Sequence, residues 1–390
     1  MSRYLGVVVG EASGDSLAAD LCQRLSDKWP DLQIEGILGE RTLSVGGRSI
    51  YPMDRLSVMG LWEALQRLPE LLGIRSELAQ YFCANPPDVF VGVDAPDFNL
   101  ILEKKLRKQG IRTVQYVSPS IWAWRRGRIK LIQEAVDAVL CLLPFEVDIY
   151  PEFGIPAYLV GHPLAKSIPI GASDPRRQQL ASDFRRKFNI GPDALLIALM
   201  PGSRSSELHY SLPLLLNTMQ VLRRDYPDAV FVIAAANSQR AAEIRSAVDR
   251  FSTQIEPPLM VDHHQVRSLL CAAHLAVASM GTITLEIMLS YTPMVAFYRG
   301  HWMNALYVKW KSYIQNYSLP NLLAGHALVP ELMHSNVTVE RLSAEARRLI
   351  ESDNSSLLDT FSELHQKACG DPAGPSAAEV VAEVAGWKSV

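Results

Sequence analysis

Asp94 and Asp97 flank a proline in the run Val93-Asp94-Ala95-Pro96-Asp97-Phe98-Asn99. Two carboxylates in a loop stiffened by proline could divide general-base work from orienting or capping work. The plainer alternative has Asp97 capping a helix through Leu100 to Leu106, with Asp94 idle. A second acid-bearing stretch is Gly10-Glu11-Ala12-Ser13-Gly14-Asp15. Its glycines allow close backbone approach, but the spacing is not that of the dinucleotide fingerprint. Its acids would repel a pyrophosphate, so Glu11, Ser13, Gly14 and Asp15 suit sugar hydroxyls or a polar acceptor better. A tight turn with Asp15 or Ser16 capping a helix that begins near Ser16 accounts for the same residues.

Two stretches in the second half have the opposite character. Pro201-Gly202-Ser203-Arg204 offers small residues, free amides and a guanidinium able to pair bidentately with phosphate oxygens, without the Walker A pattern. Ser279-Met280-Gly281-Thr282-Ile283-Thr284-Leu285-Glu286 would present the amides of Gly281 and Thr282 and a hydroxyl to a phosphate. Glu286 falls one turn further along the same face, where an acid could hold ribose hydroxyls. Each also fits an ordinary turn or helix start. Acids in the first half and phosphate-type donors in the second suggest a nucleotide held by the second part of the chain and a base supplied by the first across a cleft.

The elements that must position these loops are legible as short β-branched runs alternating with helical stretches, the pattern of parallel sheets covered by helices. Strands are predicted at Tyr4 to Val9, Gln33 to Leu38, Asp88 to Val93, Arg112 to Val117, Ala138 to Leu142 and Ala157 to Val160. A second set is predicted at Leu195 to Met200, Val230 to Ala235, Leu259 to Val261, Leu275 to Ala278 and Pro293 to Phe297. Ligands of open α/β sheets sit at the carboxyl ends of strands, and each stretch above follows a predicted strand. The chain has 390 residues, beyond the roughly 250 to 300 at which single cores stop growing. The strand pattern lapses between Leu164 and Pro192. The expected organisation is therefore two doubly wound, Rossmann-like domains, residues 1–170 and 171–365, facing a cleft, with a helical tail over 366–390.

Composition narrows the chemistry. Lys and Arg number 38 against 41 Asp and Glu, a formal charge of −3, so nucleic acid is not an expected partner. Cys22, Cys83, Cys141, Cys271 and Cys369 are scattered and unpaired in pattern, as in a reducing compartment. The histidines lack ligand spacing, so no metal site and no cofactor are expected. The apolar run Leu5 to Val9 is too short for a signal or a membrane span. Trp122-Ala123-Trp124-Arg125-Arg126-Gly127-Arg128-Ile129-Lys130 and the segment Trp302 to Lys311 join tryptophans to basic residues, which suits anionic lipid head groups or, equally, packed indoles beside solvated charges.

Taken in order, GEASGD (Gly10 to Asp15), SVMG (Ser57 to Gly60), PDVFVGVDAPDFN (Pro87 to Asn99), VSPSIWAWRRGRI (Val117 to Ile129), LPFE (Leu143 to Glu146), VGHPL (Val160 to Leu164), PGSR (Pro201 to Arg204), GTITLE (Gly281 to Glu286) and SLPNLLAG (Ser318 to Gly325) resemble the lipid-A-disaccharide synthases over nearly the whole chain. The resemblance implies a glycosyltransferase B fold and an inverting, metal-independent transfer. In it, 2,3-diacylglucosamine moves from UDP to 2,3-diacylglucosamine 1-phosphate, giving the β-1,6-linked disaccharide and UDP. It implies Asp94 as base, Arg204 and Asn321 in the UDP-binding region and Glu286 near the ribose; with the loops above, the expected substrate-binding set is Glu11, Ser13, Gly14, Asp15, Asp97, Asn99, Arg125, Gly202, Ser203, Arg204, Gly281, Thr282, Glu286 and Asn321. It further implies a cytoplasmic protein peripherally associated with the inner membrane, and a homodimer. The chain departs from the family pattern at Gly39-Glu40-Arg41-Thr42 and at Met280, where a serine is usual. A UDP-sugar transferase or epimerase acting on unacylated substrates, and a catalytically silent nucleotide-sugar-binding protein, are the alternatives.

Overall fold

The computed structural model describes residues 3–56, 61–123, 126–251, 256–300 and 314–388. The chain divides into two compact units, one of Met1–Pro163 with Cys369–Val390 and the other of Leu164–Ala368. The first holds seven parallel strands, β1 (Tyr4–Val9), β2 (Gln33–Leu38), β3 (Arg48–Pro52), β4 (Val89–Val93), β5 (Arg112–Tyr116), β6 (Ala138–Cys141) and β7 (Ala157–Leu159), in the order β3-β2-β1-β4-β5-β6-β7. The second holds six, β8 (Leu196–Met200), β9 (Val230–Ala234), β10 (Leu259–Val261), β11 (Leu275–Ser279), β12 (Met294–Tyr298) and β13 (Glu331–Met333), in the order β10-β9-β8-β11-β12-β13.

Central strands read as unbroken apolar runs because helices cover both faces: β4, β8 and β11 are buried along their whole length. Phe82, Phe90, Leu102 and Leu106 build one side of the first core, and Leu199, Leu215, Phe231, Val277 and Phe297 serve the second. Two strands went unanticipated, β3 and β13. Both are sheet edges, half exposed and without a continuous apolar run.

The division between units falls at Pro163 and Leu164, seven residues before the expected 170. The C-terminal segment from Cys369 belongs with the first unit. Its helix Ala377–Ala385 buries Ala378, Val380, Val381 and Ala382 and packs on the helix Ala12–Lys28 and on β4 and β5. Trp387 then meets Trp29 edge-to-face at 5.3 Å and donates to Asp88 Oδ2 at 3.1 Å. That apolar helix face is what ties the tail down.

Candidate active site

Each sheet has a topological switch point, where the chain winds outward in opposite directions from two adjacent strands. These are β1 with β4 in the first unit and β8 with β11 in the second. All four stretches singled out in the sequence leave the carboxyl ends of those strands.

In the first unit the two acid-bearing loops touch. A Cβ added to Gly10 would lie 2.3 Å from the Cβ of Ala95, so glycine there permits the approach. The helix after β1 begins at Ala12, not near Ser16, and Glu11 at its N-cap position makes no side-chain cap bond. Gly14 therefore sits in the first helical turn, where a side chain would press on Val9 and Val93. Glu11 and Ser13 are exposed. Asp15 is buried and fully engaged: its carboxylate accepts from the backbone amides of Gly39, Arg41 and Thr42 at 3.1, 2.8 and 3.2 Å, and from the Thr42 hydroxyl at 2.6 Å. It holds the Gly39 to Thr42 loop through three backbone amides and the Thr42 hydroxyl, and a Cβ on Gly39 would stand 2.4 Å from its Cγ.

Asp94 has φ +55° and Ala95 φ +43°, both left-handed. For non-glycine residues such backbone costs of order 1–3 kcal/mol each and persists only where the surroundings enforce it. Here the Asp94 amide donates to Tyr116 O at 2.8 Å, and the Asp94 carbonyl accepts from Asn99 Nδ2 at 2.8 Å and Gln115 Nε2 at 3.2 Å. The result holds Asp94 at the switch point in a half-buried position. Burial first, then the neighbouring Glu11 charge, raises its pKa above the usual aspartate range, opposed by the Ala95 amide. Asn99 is wholly buried, and its Nδ2 also faces the carbonyls of Val8 and Val93. Asp97 does not cap the helix Pro96–Lys108; it pairs with Arg128. Arg125 lies outside the described residues, as do Trp124, Ser57 to Gly60 and the segment Trp302 to Lys311.

In the second unit a cavity of about 430 Å³ opens at the β8/β11 switch point, lined in part by Ser203, Arg204, Glu207, His263, Thr282 and Glu286. A Cβ on Gly281 would meet no atom within 4 Å, so the space there is open to a ligand. Burial raises the Glu286 pKa, with Arg267 opposing. The amides expected to be free in the Pro201 to Arg204 loop are not: Ser203 and Arg204 donate to Glu207 Oε2 at 2.9 and 3.2 Å. Gly202, at φ +107°, lets that carboxylate in. The reason is ordinary helix capping, since Glu207 stands at the third position of the helix Ser205–Asp225. Arg204 itself remains exposed. Asn321, wholly buried, spends its amide on Val329 O, Glu331 Oε1 and the amides of Leu328 and Val329. It braces the helix Leu319–Ala324, whose Leu319 amide meets Thr284 Oγ1 at 3.3 Å.

His263 lines this cavity although nothing in the spacing of the histidines marks it. Its position just after β10, at a strand's carboxyl end, was the signal for a lining residue. Trp122, expected at a docking surface, packs edge-to-face on Phe145 at 4.9 Å. Among the described residues of the first unit, the large apolar side chains that are exposed are Leu43, Leu68, Leu72 and Phe153. No described helix is long and apolar enough to cross a membrane.

A family model described as lipid-A-disaccharide synthetase matches residues 5–383. A lipid-A-disaccharide synthase of Aeromonas hydrophila is 42% identical over 387 residues, covering 98% of each chain. One from Vibrio cholerae is 43% identical over 364 residues, 93% of each. Among solved structures, a UDP-GlcNAc 2-epimerase from Neisseria meningitidis bound to UDP-GlcNAc aligns over 99% of this chain and 98% of its own, with TM-score 0.57 and 12% identity. The glycotransferase of kitacinnamycin aligns over 95% of each, with TM-score 0.58 and 14% identity. At these identities the solved structures speak to fold, the glycosyltransferase B arrangement of two Rossmann-like units.

Proposed function

The chain belongs to the lipid-A-disaccharide synthetase family, a family of glycosyltransferases that makes the lipid A disaccharide, and on that premise we propose its reaction in detail. It moves 2,3-diacylglucosamine from UDP to the primary hydroxyl of 2,3-diacylglucosamine 1-phosphate with inversion. The hydroxyl attacks the anomeric carbon from the face opposite UDP; Asp94 takes its proton, the new β-1,6 bond forms, and the bond to the diphosphate breaks with its electron pair on UDP. The observation that carries this reading is the Asp94 carboxylate, displayed on a left-handed backbone at the β1/β4 switch point. Its raised pKa makes it a better base than free aspartate at about 3.9. Proton transfer still lags behind bond formation and completes with it.

Negative charge on the departing diphosphate falls to Arg204 and the amides and hydroxyl of Gly281 and Thr282, with Glu286 toward the ribose. These fixed donors are the basis for proposing metal independence. Glu11, exposed and close enough to Asp94 for its charge to be felt there, and the exposed Ser13 suit acceptor hydroxyls. Asp15, Asn99 and Asn321 serve by holding the loops. Acylated substrates imply work at a membrane surface on the cytoplasmic side, for which Leu68 and Leu72, one helical turn apart and exposed, supply an apolar contact.

The test incubates the protein in detergent with both acylated substrates and a chelator, with products read by mass spectrometry. Disaccharide 1-phosphate and UDP are expected. Turnover of unacylated UDP-N-acetylglucosamine instead, or product only after a divalent metal is restored, would overturn the substrate or the metal-independent part.

A further inference from the structure

Beneath Asp94 lies a buried polar cluster that its role as base does not by itself use. Glu103 is wholly buried on the helix Pro96–Lys108, one turn beyond Asn99 on the face toward the sheet. Gly92 of β4 makes room for both: a Cβ there would stand 2.4 Å from Glu103 Oε1 and 2.8 Å from Asn99 Cβ. Gln115 of β5 is the residue paired with Gly92 in the sheet. The cluster therefore joins one acid and two amides around a single glycine.

The amide nitrogens are fully used. Asn99 Nδ2 faces the carbonyls of Val8, Val93 and Asp94, and Gln115 Nε2 faces those of Asp94, Tyr116 and Val117. Only a donor can face so many carbonyls, so neither amide can be flipped. Their oxygens must then point away from Asp94, and both Asn99 Oδ1 and Gln115 Oε1 are buried without a partner, as are both Glu103 oxygens. No cation pairs with Glu103 among the described residues. A buried, unpaired carboxylate loses its hydration with nothing to replace it, whereas a neutral carboxylic acid supplies the donor the cluster lacks. Burial pushes the Glu103 carboxyl well above the usual range.

We propose that Glu103 is a positioning residue for Asp94: as the neutral acid it donates to Asn99 Oδ1 and so locks the amide clamp that holds the Asp94 carbonyl. It touches neither substrate and acts through Asn99. The inference rests on Asp94 being the base of the proposed reaction, but the clamp itself does not. Loss of the donor leaves Asn99 Oδ1 buried without a partner, which weakens the clamp, relaxes the left-handed Asp94-Ala95 backbone and displaces the carboxylate. A misplacement of about 1 Å can cost on the order of a hundredfold in rate.

The test compares Glu103→Gln, which keeps a neutral donor, with Glu103→Leu, which has none. Turnover, KM for both substrates and amide exchange over residues 94–99 are measured on each. Glu103→Gln should retain most turnover, the wild-type pH profile and slow exchange. Glu103→Leu should lose about ten- to a hundredfold in kcat with little change in KM, and exchange faster at 94–99. Equal losses in both variants, or unaltered exchange in Glu103→Leu, would overturn the inference. Faster exchange with undiminished kcat would uphold the clamp and sink Asp94 as base. Should the leucine variant not fold, the infrared difference between wild type and Glu103→Gln near pH 8 decides. A protonated-carboxyl band in wild type supports the proposal, and a carboxylate band refutes it.

Discussion

The two switch points solve opposite problems. At β1/β4 the reactive group is a carboxylate on strained backbone, and the amide nitrogens beneath it are already spent: Asn99 and Gln115 pin the Asp94 carbonyl, and Asp15 pins the neighbouring loop. At β8/β11 the donors stand at the surface. Gly281 faces open space, Arg204 is exposed, and the Ser203 and Arg204 amides are lent to Glu207. A base must be aimed before its substrate arrives. An anion site can keep its donors provisionally satisfied by an internal carboxylate until an external anion competes for them.

The contrast can be broken by substitution. The largest expected effect is on transfer in Asp94→Asn, a loss on the order of 10² to 10⁴ in kcat, followed by product formation under saturating substrates. Next is Arg204→Ala, expected to weaken UDP about ten- to a hundredfold by calorimetry, the worth of a charged hydrogen-bond donor of roughly 1.5–3 kcal/mol; unchanged affinity would remove Arg204 from the anion site. Smaller still, Glu207→Gln keeps an acceptor for the loop amides but removes the charge, and a few-fold tighter UDP binding is expected. Weaker binding would show that Glu207 does more than hold the place of an anion.

The least effect sharpens the first region alone. The Asp94 pKa is raised in the fold, so the folded chain holds its proton more tightly than the unfolded one. The ionised carboxylate therefore destabilises the fold, not at all below about pH 3.9 and increasingly as pH rises through the raised value. Asp94→Asn should melt above wild type at pH 7 to 8, with the difference closing toward pH 4. A variant that melts lower at neutral pH would mean the carboxylate is a structural asset.

The central strands were legible because burial on both faces writes them as β-branched runs, and strand ends then point to the loops that matter. The edges β3 and β13, half exposed, carry no such mark. The apolar face of Ala377–Ala385 announces that it will be buried but not against which unit. Within the loops, residue type identified the chemistry and not the direction of the side chain. Asp15, Asn99 and Asn321 look like ligand contacts in sequence, yet each is buried and bonded inward. Glu207 and Glu103 were overlooked because a glutamate on a helix usually faces water.

The central claim is that ionised Asp94 is the group that accepts the proton, and the pH dependence of transfer at saturating substrates tests it most directly. Wild-type rate should rise with pH through an apparent pKa above the ordinary aspartate value and then level. Asp94→Asn should bind UDP as wild type does, run far more slowly and lack that acidic limb. A near-normal rate in the variant, or the same limb retained, would contradict the account.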